Sequence, residues 1–140
     1  MKQFFALITL LLVLANGMAG QTQKTLVKTL ALEPTTTSIQ VDVPALVEVQ
    51  EWEENTIRII TTVNANVGEN ILKALAAAGR YGYTTNTALE TGVTTITMPK
   101  IGVEVAISGQ VLEDQLHVII YVPRGVDYQI IGIPNPNLIQ

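Results

Sequence analysis

Thr36-Thr37-Ser38-Ile39-Gln40-Val41-Asp42-Val43-Pro44-Ala45-Leu46-Val47-Glu48-Val49 decides the fold class. Ile39, Val41 and Val43 fall on one side of an extended chain, with Ser38, Gln40 and Asp42 on the other. This is the period-two alternation of a half-buried strand. Pro44 ends the strand, because a proline has no N–H to give a ladder and presets a turn. Val47 and Val49 then alternate with Leu46, Glu48 and Gln50 as far as Trp52. Glu53-Glu54-Asn55 supplies a turn before Thr56 to Val63. Three consecutive strands are expected here.

On the N-terminal side, Gln21 to Lys28 is polar and reads as frayed, with strand character at Leu26-Val27 and Leu30-Ala31-Leu32 before Pro34. On the C-terminal side, Asn66 and Glu69 stand in the relation of a capping box, which satisfies orphan N–H groups at a helix start. A helix is expected over Val67 to Ala78, with Val67, Ile71, Leu75 and Ala78 as its apolar stripe, Leu72 widening it, and Gly79 ending it in the left-handed conformation. Strands are expected again at Tyr81 to Thr87, Val93 to Met98, Ile101 to Ser108, Gln115 to Val122 and Val126 to Ile131, with a turn near Thr91-Gly92. The result is a single mainly β domain over 20–132 with one inserted helix, either a β-solenoid-like stack or a sandwich of short strands. Residues 133–140, rich in Pro and Asn, read as a loose tail.

A strand, a Pro-led corner and an apolar-acidic-apolar triplet recur at Val43-Pro44, Met98-Pro99 and Val122-Pro123. If the corners are equivalent, Val47, Val103 and Val126 point inward and Glu48, Glu104 and Asp127 outward, since strand side chains alternate strictly. Those three acids also invite the idea of a hard-cation site. Without the Asp/Asn/Gly loop that such sites carry, they read as the solvent side of alternating strands.

Met1-Lys2-Gln3, the apolar run Phe4 to Ala15, and Asn16-Gly17-Met18-Ala19 follow the basic, apolar, small-residue order of a secretory signal. The segment 1–19 is expected to be removed, leaving Gly20 or Gln21 first, because the apolar run is shorter than a membrane span requires. Export to the periplasm, the outer surface or the medium follows, with no transmembrane segment after removal. The absence of Cys excludes disulfides, thiolate metal sites, cysteine nucleophiles and a lipid-bearing cysteine. A formal charge of -4 opposes the phosphate attraction that nucleic-acid binding needs.

Catalytic signals are absent from the pattern. His117 is the single histidine, between Leu116 and Val118, and neither Ser108 nor Asp114 nearby sits in a nucleophile setting, so it reads as a solvent-facing strand residue. One histidine is too few for zinc. Glu51, Glu53, Glu54 and Glu90 could be paired for glycoside hydrolysis only by assuming their separation. No metal, cofactor or enzymatic activity is assigned. Trp52, Tyr81, Tyr83, Tyr121 and Tyr128 form the candidate contact surface, since amphipathic rings anchor partners or stack on sugars, although the same rings are ordinary packing elements.

The signal, Thr36 to Val49, Trp52, Ile57-Arg58-Ile59-Ile60 and the closing Tyr121-Val122-Pro123-Arg124-Gly125-Val126 together resemble exported bacterial envelope proteins related to the auto-transporter adhesin head, or GIN, domain. That resemblance implies a β-solenoid of short strands and supplies no catalytic residues. The function it implies is an exported, non-enzymatic envelope or cell-surface protein acting by surface contact, in adhesion or assembly with protein or glycan. The alternative is a periplasmic binding module for a small ligand or glycan.

Overall fold

The computed structural model describes residues 21–132. The expected signal and the expected tail lie outside the described residues. Chain order is β1 (Thr22–Ala31), β2 (Ser38–Asp42), β3 (Leu46–Trp52), β4 (Thr56–Ala65), α1 (Glu69–Ala77), β5 (Thr84–Ala88), β6 (Val93–Thr97), β7 (Ala106–Ile107), β8 (Gln110–Val111), β9 (Asp114–Pro123) and β10 (Asp127–Ile130). The described chain is therefore mainly β with one inserted helix.

Two four-stranded sheets form, the first ordered β1-β4-β9-β3 and the second β10-β2-β6-β5. In the first, β4 is antiparallel to both β1 and β9, while β3 runs parallel to β9. In the second, β10, β2 and β6 are parallel and β5 closes one edge antiparallel. β7 and β8 make a small hairpin whose turn residues Ser108 and Gly109 both have positive φ, 52° and 80°.

Alternation places the core. Ile57, Ile59, Val63 and Ala65 of β4 and Leu116, Val118, Ile120 and Val122 of β9 are buried, as are Ile39 and Val41 of β2 and Ile96 of β6. All belong to one apolar cluster lying between the sheets. Burying an aliphatic side chain of this size is worth about 1.5–3 kcal/mol, so this cluster outweighs any surface contact in holding the fold.

Several local expectations need correction. β1 is ordered from Thr22, not frayed, because β4 extends to Ala65 and offers a partner for every residue back to Thr22. The capping box does not form: Gly68 is the N-cap with no side-chain cap bond. Asn66 instead accepts from the Glu113 N–H at 2.8 Å and donates to the Val111 carbonyl at 3.3 Å. With the start moved to Glu69, Leu72 is the buried helix residue, Leu75 and Ala76 pack beside it, and Ile71 faces solvent. Gly79 does end the helix with φ +89°.

β5 begins at Thr84, since the Gly82 N–H closes a turn on the Gly79 carbonyl. The expected strand over Ile101 to Ser108 shrinks to β7, because Pro99 opens a turn in which the Val103 N–H bonds the Lys100 carbonyl. The three corners are thus not equivalent. Val47 and Val126 pack against the core, whereas Val103 is 59% exposed and Val105 takes the inward place. Glu48, Glu104 and Asp127 are all exposed.

Candidate functional site

Four apolar doublets build the site: Leu26-Val27, Leu46-Val47, Ile59-Ile60 and Ile119-Ile120. Adjacent strand residues face opposite ways, so each doublet gives one side chain to the core and leaves the other on the outer face of the first sheet. Register then gathers the outward members. Val27 is opposite Ile60 and Ile60 is opposite Ile119, so an aliphatic row crosses three strands. Val27 is 62% and Leu46 49% exposed, and Ile60 and Ile119 are half-buried.

One row along, Arg58 lies opposite Tyr121, with Trp52 beyond on β3 opposite Pro123. The Trp52 and Tyr121 ring centroids are 5.6 Å apart, tilted by 41°. The Arg58 guanidinium sits 4.9 Å above the Trp52 ring, within cation–π range. The indole N–H donates to the Thr56 carbonyl at 2.8 Å. An exposed ion pair, Arg124 to Glu53 at 3.1 Å, lies beside this end and contributes little to stability.

A second polar centre lies inside. Arg80 donates from Nε and Nη2 to the two carboxylate oxygens of Asp114, at 2.7 and 3.1 Å, and from Nη1 to the Val103 carbonyl at 2.6 Å. The Tyr81 hydroxyl donates to Asp114 Oδ2 at 2.8 Å. This network joins the segment after α1, the turn after Pro99 and the start of β9. Burial by itself would lower the Arg80 pKa, but the hydrogen bond and charge of Asp114 outweigh it and raise the value. The Tyr81 phenol is pushed up by burial first, then by Asp114. Tyr83 is pushed up to about 12 by burial, partly opposed by its 2.7 Å hydrogen bond with the Thr61 hydroxyl. A cleft of about 630 Å³ opens next to Arg80 and Asp114, with Gln21, Asn64, Gln115 and Glu113 on its walls.

The expected contact residues therefore separate into three groups. Trp52 and Tyr121 share the outer face of the first sheet. Tyr128 is exposed on β10, an edge of the second sheet. Tyr81 and Tyr83, 3% and 8% exposed, are corrected to interior residues. They precede β5 and turn inward to meet Asp114 and Thr61. Val27, Leu46, Arg58, Ile60 and Ile119 were missed by selecting aromatics. The doublets were the available signal, since two adjacent aliphatics in a strand commit one of them to the outer face.

His117 is exposed on the outer face of β9 while Asp114, 2% exposed, is on the inner face, so they form no dyad. Ser108 is at the β7–β8 turn. Among the described residues no three acids or histidine are grouped to hold a metal, and Glu48, Glu104 and Asp127 stand apart. No helix among them is long and apolar enough to cross a membrane. Comparison with family models, curated proteins and solved structures returned no match for this chain.

Proposed function

We propose that the protein is exported and acts by surface contact, in adhesion or assembly at the cell envelope, through the outer face of the β1-β4-β9-β3 sheet. The observation that carries this reading is the row Val27–Ile60–Ile119, flanked by Leu46 and by the Trp52–Tyr121–Arg58 group, on a face where alternation ordinarily puts polar side chains. The signal-like pattern of 1–19 and the resemblance to GIN-type envelope proteins support the compartment. The face offers shape and apolar area, and its one histidine, His117, has the inward-facing Asp114 on the other side of the sheet, which suits binding without chemistry.

Fractionation of cells making the full chain tests both halves. Protein recovered outside the inner membrane is expected to begin at Gly20 or Gln21 and to co-sediment with isolated envelopes. Ile119→Lys should abolish co-sedimentation, and Thr95→Lys on the opposite sheet should not. Retention of Met1 would sink the export reading, and indifference to Ile119→Lys would sink the surface reading.

A second reading is a binding module for a small hydroxyl-rich ligand or glycan, favoured by the cleft beside Arg80 and Asp114 with the amides of Gln21, Asn64 and Gln115 around it. Amides offer both donor and acceptor to a hydroxyl. Asn64→Ala with Gln115→Ala should remove glycan binding if this reading holds.

A further inference from the structure

We infer that the partner of the outer face of the first sheet is a second copy of this chain, packed face to face about a two-fold axis that runs along the strands between β4 and β9. The inference rests on that face being the contact surface, and it names what covers it.

Register supplies the first argument. An axis between β4 and β9 exchanges the positions of register partners, so residues opposite each other within one sheet meet across the interface. Ile60 then lies on Ile119 of the second copy, because those two are partners in the sheet. Arg58 lies on Tyr121 of the second copy for the same reason, a cation over a ring. At the rims, β1 exchanges with β3. Val27 pairs with Ile60, Ile60 with Ile119 and Ile119 with Glu48, so Val27 meets Glu48 of the second copy. The face is thus self-complementary, as an isologous interface requires. Its apolar row crosses the axis between Ile60 and Ile119, and its one acid in this row lies at the edge.

Area supplies the second argument. Four strands about 4.8 Å apart and rows extending over about 30 Å give roughly 600 Å² a copy. Two copies bury roughly 1,200 Å², the lower end of the range for stable interfaces. Aligned packing of two sheets at about 30° is also the common way in which sheet faces meet.

The chemistry of the face argues against a sugar. A stacking platform needs an open ring, yet the Trp52 ring is covered at 4.9 Å by Arg58 and its N–H is spent on the Thr56 carbonyl. The middle of the face is aliphatic. It argues equally against an anionic membrane, since the rows described carry Arg58 and Glu48 and no cluster of cations.

Sedimentation equilibrium of the protein recovered from expression of the full chain provides the test. A reversible dimer is expected, with a dissociation constant on the order of micromolar for so small an interface. Ile119→Lys, placed twice in the symmetric centre, should weaken it at least about 100-fold with an unchanged circular dichroism spectrum. Val27 is exposed, so its variants should fold. Val27→Asp sets an acid against Glu48 of the second copy and should weaken the dimer about tenfold, while Val27→Lys should leave it equal or tighter. Equal weakening by both would overturn the proposed axis. A chain that stays monomeric at about 100 µM overturns the second-copy inference, and leaves the contact surface standing if Ile119→Lys still abolishes envelope binding. A dimer indifferent to Ile119→Lys overturns the inference outright.

Discussion

The outer faces of the two sheets are built by the same alternation and end with opposite surfaces. On the second sheet, Gln129, Gln40, Thr95 and Asn86 form one row across β10, β2, β6 and β5. The next row holds Asp42, Thr97 and Thr84, with a 2.9 Å hydrogen bond between the two threonine hydroxyls. On the first sheet the equivalent rows hold Val27, Ile60 and Ile119 with Glu48 at the β3 edge, then Thr29, Arg58, Tyr121 and Gln50. A sheet with one core has no packing need for aliphatics on its far side. The second sheet shows that this chain can build a polar far side, so the apolar one on the first sheet is a property of that face and not of the composition.

The comparison can be broken most forcefully from inside. Asp114 marks the inner side of β9 at the same end where Gln115 marks the outer, and Asp114→Ala would leave the Arg80 guanidinium buried without its counter-charge. Chemical denaturation should show a loss of about 3–5 kcal/mol. A loss below about 1 kcal/mol would mean that this end is wet and the inner/outer distinction false there.

Neighbouring isoleucines sharpen it next. Ile120→Ala empties a fully buried site and should cost about 3 kcal/mol. Ile119→Ala, one residue away on the outer face, should cost about 1 kcal/mol when measured on dilute protein. Equal costs would show that the outer face is already covered within a single chain.

The tyrosines divide in the same way. Tyr83 in the folded protein is pushed up to about 12 from 10.0. A folded value above the unfolded one means that its contribution is whole below pH 10 and is lost as pH rises toward 12. Melts between pH 9 and 12 should record a fall of about 2 kcal/mol from this group, and Tyr83→Phe should lessen the total fall by that amount while the share of Tyr81, which burial also pushes up, remains. An unchanged profile in that variant would remove Tyr83 from the interior.

The smallest effect is expected on the polar side. Thr95→Lys should change stability by no more than about 0.5 kcal/mol, and the measured melt of that variant is the baseline for every first-sheet substitution. A larger loss would show that the second outer face is also in use.

The legible part of this fold was the part governed by residues two apart. Ile39, Val41 and Val43 announce their burial by alternation, Gly79 announces its positive φ, and Thr91-Gly92 announces a turn. What escaped reading depends on distant neighbours. Asn66 looks like a helix cap, but the Glu113 N–H and the Val111 carbonyl claim its side chain. Ile101 to Val105 alternates like a strand, yet Arg80 holds the Val103 carbonyl and the chain turns there. The contact residues were chosen by ring chemistry, which is indifferent to facing. Facing sent Tyr81 and Tyr83 inward and brought Val27, Ile60 and Ile119 together on the outer face.

The position of β2 has a consequence for how the molecule comes into being. This strand, made early, lies between β6 and β10, both from the later half of the chain, and β3 likewise takes its parallel partner from β9. Neither sheet can close until its late strands have emerged, and contacts so distant along the chain make for slow folding, in milliseconds to seconds. A chain that we propose to be threaded out of the cell would profit from that delay. On that proposal the chain would pass through a narrow channel while extended, and both sheets would close only after β9 and β10 had followed.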